Sequence, residues 1–239
     1  MLVLPVWTHG APLSGKDIAG NMQAVRLSDG FSARMNVAVI EANGKRQVPF
    51  KLSIIGQLNS EHRRLLLRVV APAGIQHNRI VAEIKNGKVV AAAYTEAPGA
   101  PVADFAEDQD IFDSGLRLWD MFAPWWDWPE QKVIGTANIR GLPCMLVRSA
   151  ENPVADHARS VVSCIDTSRK ISLRTEIWGP DNKLLRTIEV IGTQRRDSGI
   201  TVAKKVQRKD YSGRITESEV YSGDENYEVS DVMFSRLPP

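Results

Sequence analysis

The sequence predicts a mainly β protein with a few helices, built as one antiparallel sheet of successive hairpins. Three observations carry that expectation. Hydrophobic and polar residues alternate along most of the chain, and turn signals such as Asn-Gly separate the alternating runs. The runs also follow one another too closely for βαβ crossovers. At 239 residues, 43% hydrophobic and 24% charged, the chain can build a packed core, and all-β domains of this length often stay undivided.

The first element is a helix over 14–25. Ser14 stands at its N-cap and Asp17, three residues on, is the acid of a capping box, although Gly15 and Gly20 weaken the helix. After Asp29-Gly30 the period becomes two, with Phe31, Ala33, Met35, Val37 and Val39 on one face and Ser32, Arg34 and Asn36 on the other. Asn43-Gly44 suits a type I′ turn. Pairing outward from it sets Val39 opposite Val48, Val37 opposite Phe50, Met35 opposite Leu52 and Ala33 opposite Ile54. The apolar faces coincide, which a one-residue slip would destroy. In this register Phe31, Ala33, Met35, Val37, Phe50, Leu52, Ile54, Leu65 and Leu67 form one apolar wall.

Asn86-Gly87 repeats the construction, with Ile84 opposite Val89, Ala82 opposite Ala91 and Ile80 opposite Ala93. A strand over 63–70, closed by Pro72, lies between these hairpins. In the second half, 171–178 turns at Asp181-Asn182 into 184–191, placing Leu173 opposite Val190 and Arg174 opposite Glu189 as a favourable charge pair. Residues 200–208 turn near Ser212-Gly213 into 214–222, and 142–148 turn through Asn152-Pro153 into 160–165. The count comes to about ten strands.

One break interrupts the hairpins. Residues 96–110 read as an acidic loop rich in Ala and Pro. A helix over 111–122 follows, with Ile111, Leu116, Trp119 and Phe122 on one face and Asp113 or Ser114 as cap. Pro124-Trp125-Trp126-Asp127-Trp128-Pro129 ends it. This segment holds three of the six tryptophans, whereas a domain linker should be polar. It therefore marks no boundary, and residues 14–239 form a single domain.

Net charge is +2, too small a field to argue for nucleic acid or an anionic membrane as partner. The basic stretch Arg195, Arg196, Lys204, Lys205, Arg208 and Lys209 reads as the solvated face of strands. No apolar run is long enough for a helix to span a bilayer. Residues 1–13 carry a short apolar stretch without a basic start, which is either the remnant of an export signal or an edge segment.

Catalysis has no visible foothold. No phosphate loop, dinucleotide fingerprint, H-E-x-x-H or G-x-S-x-G occurs, so neither an enzyme nor a cofactor is expected. His9, His62, His77 and His157 lack metal-ligand spacing. His157 with Cys164 lacks a third, orienting group. Asp108, Asp110 and Asp113 lack the Gly and Glu of a calcium loop, and no metal site is expected.

If the hairpin after residue 142 is symmetric about Val154, Cys144 and Cys164 are directly opposite, with β carbons about 4.5 to 5.5 Å apart. They form a disulfide in an oxidising compartment, or else a pair of buried thiols. The aromatic group Trp119, Phe122, Trp125, Trp126 and Trp128 likewise has two readings: a plug for the open side of a curved sheet, or a lid over an apolar cavity.

The order of parts resembles the LolA-like family of outer-membrane lipoprotein-sorting proteins. The residues that carry the resemblance begin with the N-terminal helix before Gly30-Phe31-Ser32-Ala33-Arg34-Met35. Leu65-Leu66-Leu67-Arg68-Val69-Val70-Ala71-Pro72 then leads to the Asn86-Gly87 hairpin, and the helix before the Trp run follows. Ile171-Ser172-Leu173-Arg174-Thr175-Glu176-Ile177-Trp178 and a close in Val229-Ser230-Asp231-Val232-Met233-Phe234 complete it. The resemblance implies a strongly curved antiparallel half-barrel whose concave face is covered by helices. It also implies a periplasmic, exported protein whose signal has been removed.

The implied partner is a lipid or the acyl chain of a lipoprotein, held by the wall residues with Trp119, Phe122, Trp125 and Trp126; an envelope protein docking on a filled version of the fold is the alternative. The residues agree with a carrier. The pairs Ala82/Ala91 and Ile80/Ala93 leave room on the wall, and each buried methylene contributes about 0.8 kcal/mol, so about ten suffice for useful affinity.

Overall fold

A computed structural model describes residues 13–25, 28–86, 88–96, 101–155, 158–196 and 199–236, with the side chains of 151–155 outside the description. The possible signal remnant over 1–13, apart from Leu13, lies outside it, as do His9 and His157. The first helix, α1 (Gly15–Ala24), starts at Ser14, whose hydroxyl accepts from the Asp17 amide while the Asp17 carboxylate accepts from the Ser14 backbone N–H. Gly15 weakens the helix locally, but a β carbon there would lie 2.4 Å from the Gln131 carbonyl oxygen. The glycine lets the helix start sit directly on a strand backbone.

Thirteen strands follow, each antiparallel to its neighbours: β1 (Ser28–Ile40), β2 (Phe50–Leu58), β3 (Arg63–Ala71), β4 (Asn78–Lys85), β5 (Lys88–Thr95), β6 (Ala103–Asp104), β7 (Glu130–Ile139), β8 (Leu142–Ala155), β9 (Ala158–Asp166), β10 (Ile171–Trp178), β11 (Leu184–Arg195), β12 (Thr201–Asp210) and β13 (Ile215–Asp224). They form a single curved, open sheet in the order β6-β5-β4-β3-β2-β1-β13-β12-β11-β10-β9-β8-β7. Two meanders therefore meet at a seam between the first strand and the last. The strands β6 and β7, consecutive in the chain, sit at opposite edges, so the connection between them has to cross the sheet.

Several registers follow from the alternation. Val37 faces Phe50, Met35 faces Leu52 and Ala33 faces Ile54. Ile84 faces Val89, Ala82 faces Ala91 and Ile80 faces Ala93. Others need correction. Gly44 has φ +82° but Asn43 is not left-handed, so the first turn is not type I′. The Gly44 and Glu41 amides donate to the Glu41 and Lys45 carbonyls. Ile40 faces Arg46, which puts one extra residue in the return strand and leaves Val48 78% exposed instead of opposite Val39.

The positive-φ pair that a type I′ turn requires occurs instead at Arg140-Gly141, between Ile139 and Leu142. Lacking the Asn-Gly signal, this turn and strand β7 are not legible as a hairpin. Strand β8 runs through Asn152-Pro153 to Ala155, and Leu146, two residues from Cys144, faces Cys164. The two cysteines are diagonal neighbours and not directly opposed. Their sulfurs are bonded, with α carbons 5.3 Å apart. Arg174 does face Glu189, but Glu189 accepts from Arg140 and Arg174 pairs with Glu176.

The helix expected over 111–122 is short. Ile111 pairs with Leu116 across a turn in which Phe112, Asp113 and Gly115 are left-handed, and the Ser114 hydroxyl closes that turn by donating to the Ile111 carbonyl. Ser114 and Asp113 therefore cap nothing. Only α2 (Leu118–Phe122) is helical, and a 3₁₀ turn, Pro124–Asp127, follows it.

The connection over 105–129 lies on the concave face. On one side Ile111, Leu116, Leu118 and Phe122 pack on Val37, Leu52, Leu65 and Leu67. On the other, Trp119, Trp125, Trp126 and Trp128 pack with Ile18 and Met22 of α1 and with Val147 and Val161. The outer face has its own cover. Ile55, Leu66, Val81 and Ala92 are sealed by Tyr227, Val229, Met233 and Phe234 of the C-terminal segment.

Candidate ligand-binding trough

The mid-chain connection is held by polar anchors as well as by packing. Asp120 on α2, its side chain fully buried, receives two bonds from Arg186 Nε at 3.0 and 3.1 Å and one from Arg186 Nη2 at 2.6 Å. Arg208 Nε lies 3.8 Å from the same carboxylate. Arg186 also stands over the Trp119 ring, 5.4 Å from its centre. Burial pulls the Arg208 guanidinium below its ordinary pKa, with Asp120 working against the shift and Arg186 for it.

Farther along the connection, the Thr216 hydroxyl donates to the Ser114 carbonyl. Arg214 bonds Asp110 at 2.9 Å and Asp113 at 3.1 Å and lies 3.4 Å from Glu41. The acidic residues Asp110 and Asp113 are thus partners of an arginine. Removing α2 from the sheet would strand the buried Arg186 guanidinium and take from the half-buried Arg208 its nearby carboxylate, which distinguishes this connection from a cover held by side-chain packing alone.

This anchoring decides what the expected site residues do. Val37, Phe50, Leu52, Ile54, Leu65 and Leu67 are buried in the core beneath the connection, with Phe31 and Met35 partly buried beside them. Trp119 and Phe122 point inward, 2% and 0% exposed, and Trp125 is buried with them. Over this half of the sheet the chain fills much of its own concavity.

Among the described residues open space remains at several places, one of them a pocket of ≈ 490 Å³ beside Ile80, Ala93, Phe105 and Phe112. A recess of ≈ 330 Å³ between α1, the β2–β3 turn and α2 is lined by Phe122, Ala123, Trp126 and Leu58, with Arg63, Asp127 and Gln23 across its rim. A larger trough of ≈ 900 Å³ runs over β1, β13, β12 and β11. Because it touches both β1 and β11, which are separated in the sheet by β13 and β12, it lies on the side toward which the sheet curls. Phe31, Ala33, Val202, Ala203 and Val220 supply its apolar part, Arg195, Arg196 and Lys204 its cations and Asp224 and Glu225 its carboxylates, with Ser32, Gln194, Ser222 and Asn226 between them. Arg196 is paired with Glu225.

Of the expected site residues, Phe31 and Ala33 line the trough and Phe122 and Trp126 the recess. Val202, Ala203 and Val220 were missed. Val202 and Ala203 sit in the stretch read from its Lys and Arg content as a solvated face, and Val220 lies on the following strand, whose pairing with β1 is not local.

No family model and no curated protein matches the chain. Solved structures do. A DUF1329 family protein from Desulfovibrio piger superposes with a TM-score of 0.82 at 15% identity, over 92% of this chain and 95% of that one. A putative outer membrane lipoprotein-sorting protein domain from Vibrio parahaemolyticus gives 0.78 at 13%, over 93% and 96%. A LolA superfamily protein from Nitrosomonas europaea gives 0.73 at 11%, over 94% and 98%. The chain has the LolA fold. At such identities the likeness extends to the fold alone, and within that LolA-like frame the trough and recess are defined by this chain's own side chains.

Proposed function

We propose that this protein is a non-enzymatic carrier of the cell envelope, exported to the periplasm, that holds an acyl chain of a lipid or lipoprotein in the trough over β1, β13, β12 and β11. The observation that carries the reading is a concave, ≈ 900 Å³ space in which an apolar strip from Phe31, Ala33, Val202, Ala203 and Val220 adjoins three cations and two carboxylates. That combination suits a hydrocarbon tail ending in an anionic group. Support also comes from the fold shared with a putative outer membrane lipoprotein-sorting domain. The apolar wall beneath the mid-chain connection serves the core and orients α2, and Phe31 and Ala33 at its end contact the ligand.

The test is titration of lipid-stripped protein with fatty acids of increasing chain length. Affinity should rise with length until the trough is full. Ala33→Trp, which places an indole in the lining, should abolish binding while leaving the melting temperature within a few degrees. A second reading is favoured by the filled half of the concavity: an envelope module that docks a protein partner. Absence of any binding by stripped protein at every chain length would select it.

A further inference from the structure

The outer face of the sheet carries a line of arginines that the carrier reading does not use. Strand register places Arg34 opposite Ser53, Ser53 opposite Arg68, and Arg68 opposite Arg79, on four adjacent strands β1 to β4. All four are on the face of Ile55 and Leu66, two residues away along each strand, so they line up in one row beside the patch sealed by the C-terminal segment. Like charges directly opposed across strands destabilise a sheet. Here Arg68 and Arg79 are so opposed, with a third arginine two strands from Arg68.

Neutralisation is incomplete. Arg79 is buried and paired with Glu96 at 2.6 Å, and its Nη1 donates to the Gln76 and Asn78 carbonyls. Arg34 and Arg68 have no ion-pair partner among the described residues, and the Ser53 hydroxyl, on a residue 4% exposed, has no hydrogen-bond partner among them. Three cations against one anion leave two positive charges uncompensated. These groups line a recess of ≈ 370 Å³ together with His77. Adjacent strands are about 4.8 Å apart, so the α carbons of Arg34 and Arg68, one on either side of Ser53, are about 10 Å from each other, a span that two long side chains close around a tetrahedral oxyanion.

We propose that this recess binds a phosphate monoester group, clamped between Arg34 and Arg68 over the Ser53 hydroxyl. Arg79 is the fixed charge at one side, already held by Glu96. A dianion matches the two uncompensated charges, and guanidinium forks match its oxygens. The group is carried either by a soluble molecule or by a lipid headgroup, and the two sources are separated by experiment.

Glycerol 3-phosphate is titrated into the full-length protein by calorimetry and by thermal melting, in a chloride buffer of constant ionic strength. Vesicles of phosphatidylcholine with and without phosphatidic acid are tested for co-sedimentation. The wild type should bind the soluble ester and melt higher in its presence. The double variant Arg34→Gln/Arg68→Gln should bind at least tenfold more weakly and lose the melting shift. Without ligand the variant should melt no lower than wild type, because repulsion has been relieved; a purely structural role for the arginines would lower it. Binding of the ester with co-sedimentation specific to phosphatidic acid assigns a headgroup, and binding without it assigns a soluble ligand. An ester response absent in the wild type, or equal in the double variant, overturns the site.

Discussion

Asp120 shows how one side chain determines the character of a whole segment. Its carboxylate neutralises Arg186 and faces Arg208, so it converts a length of apolar chain into an anchored part of the core. Asp120→Ala should cost about 3 to 5 kcal/mol, the usual effect of leaving a buried charge without its partner, read as a fall in the urea midpoint. Asp166 sets an acid limit of a different kind. Burial opposes its ionisation, but the Ser168 hydroxyl and the Arg169 and Ser168 amides outweigh that and hold its pKa below the ordinary carboxylate value. A depressed folded-state pKa contributes stability above the ordinary carboxylate range that is lost as the pH falls through the folded value. Asp166→Asn should therefore be less stable than wild type at pH 7, with the difference shrinking on acidification toward pH 2. Neither residue is distinguishable in the sequence from other carboxylates, because their partners lie 66 positions away for Asp120 and in a local turn for Asp166.

At the level of elements, what could be read from sequence was the local part of the register. The pairs Ile84/Val89 and Ala82/Ala91 follow from alternation and a nearby turn, because register within a hairpin is a short-range property. Val37/Phe50 and Met35/Leu52 follow from alternation, the extra residue after Arg46 making up for the different turn. The helix over 111–122 misled because Ile111, Leu116, Trp119 and Phe122 are spaced as on a helix, while left-handed Phe112 and Asp113 break it. The segment is apolar because it crosses the concave face, not because it is a regular helix. Phe122, with no exposed surface, should cost about 3 to 5 kcal/mol when cut to Ala. The disulfide can be weighed in the same way. Closing a loop with a sequence separation of 20 between Cys144 and Cys164 contributes about 3 kcal/mol in the chain-entropy account. Cys144→Ala/Cys164→Ala should lower the urea midpoint correspondingly, and dithiothreitol should affect the wild type alone.

For the whole molecule, the decisive fact is that β1 pairs with β13, and no local signal announces it. Alternation tells each strand which face to bury but not which stranger to lie beside, so roughly ten strands in hairpins were legible and the order of the two meanders was not. The trough was missed for the same reason, since its lining comes from both sides of the seam. The seam also sets a clock. Ile40 meets Ile215 and Ala33 meets Gly223, roughly 180 positions apart, and at about 5 to 20 residues per second the ribosome needs roughly 10 to 40 s to supply the partner. Strand β1 can zip to β2 at once, yet one of its edges has to wait, and the charged Arg34 and polar Asn36 along it are the residues that discourage a wrong partner meanwhile. In pulsed hydrogen exchange during refolding, β1 amides directed at β2 should become protected before those directed at β13.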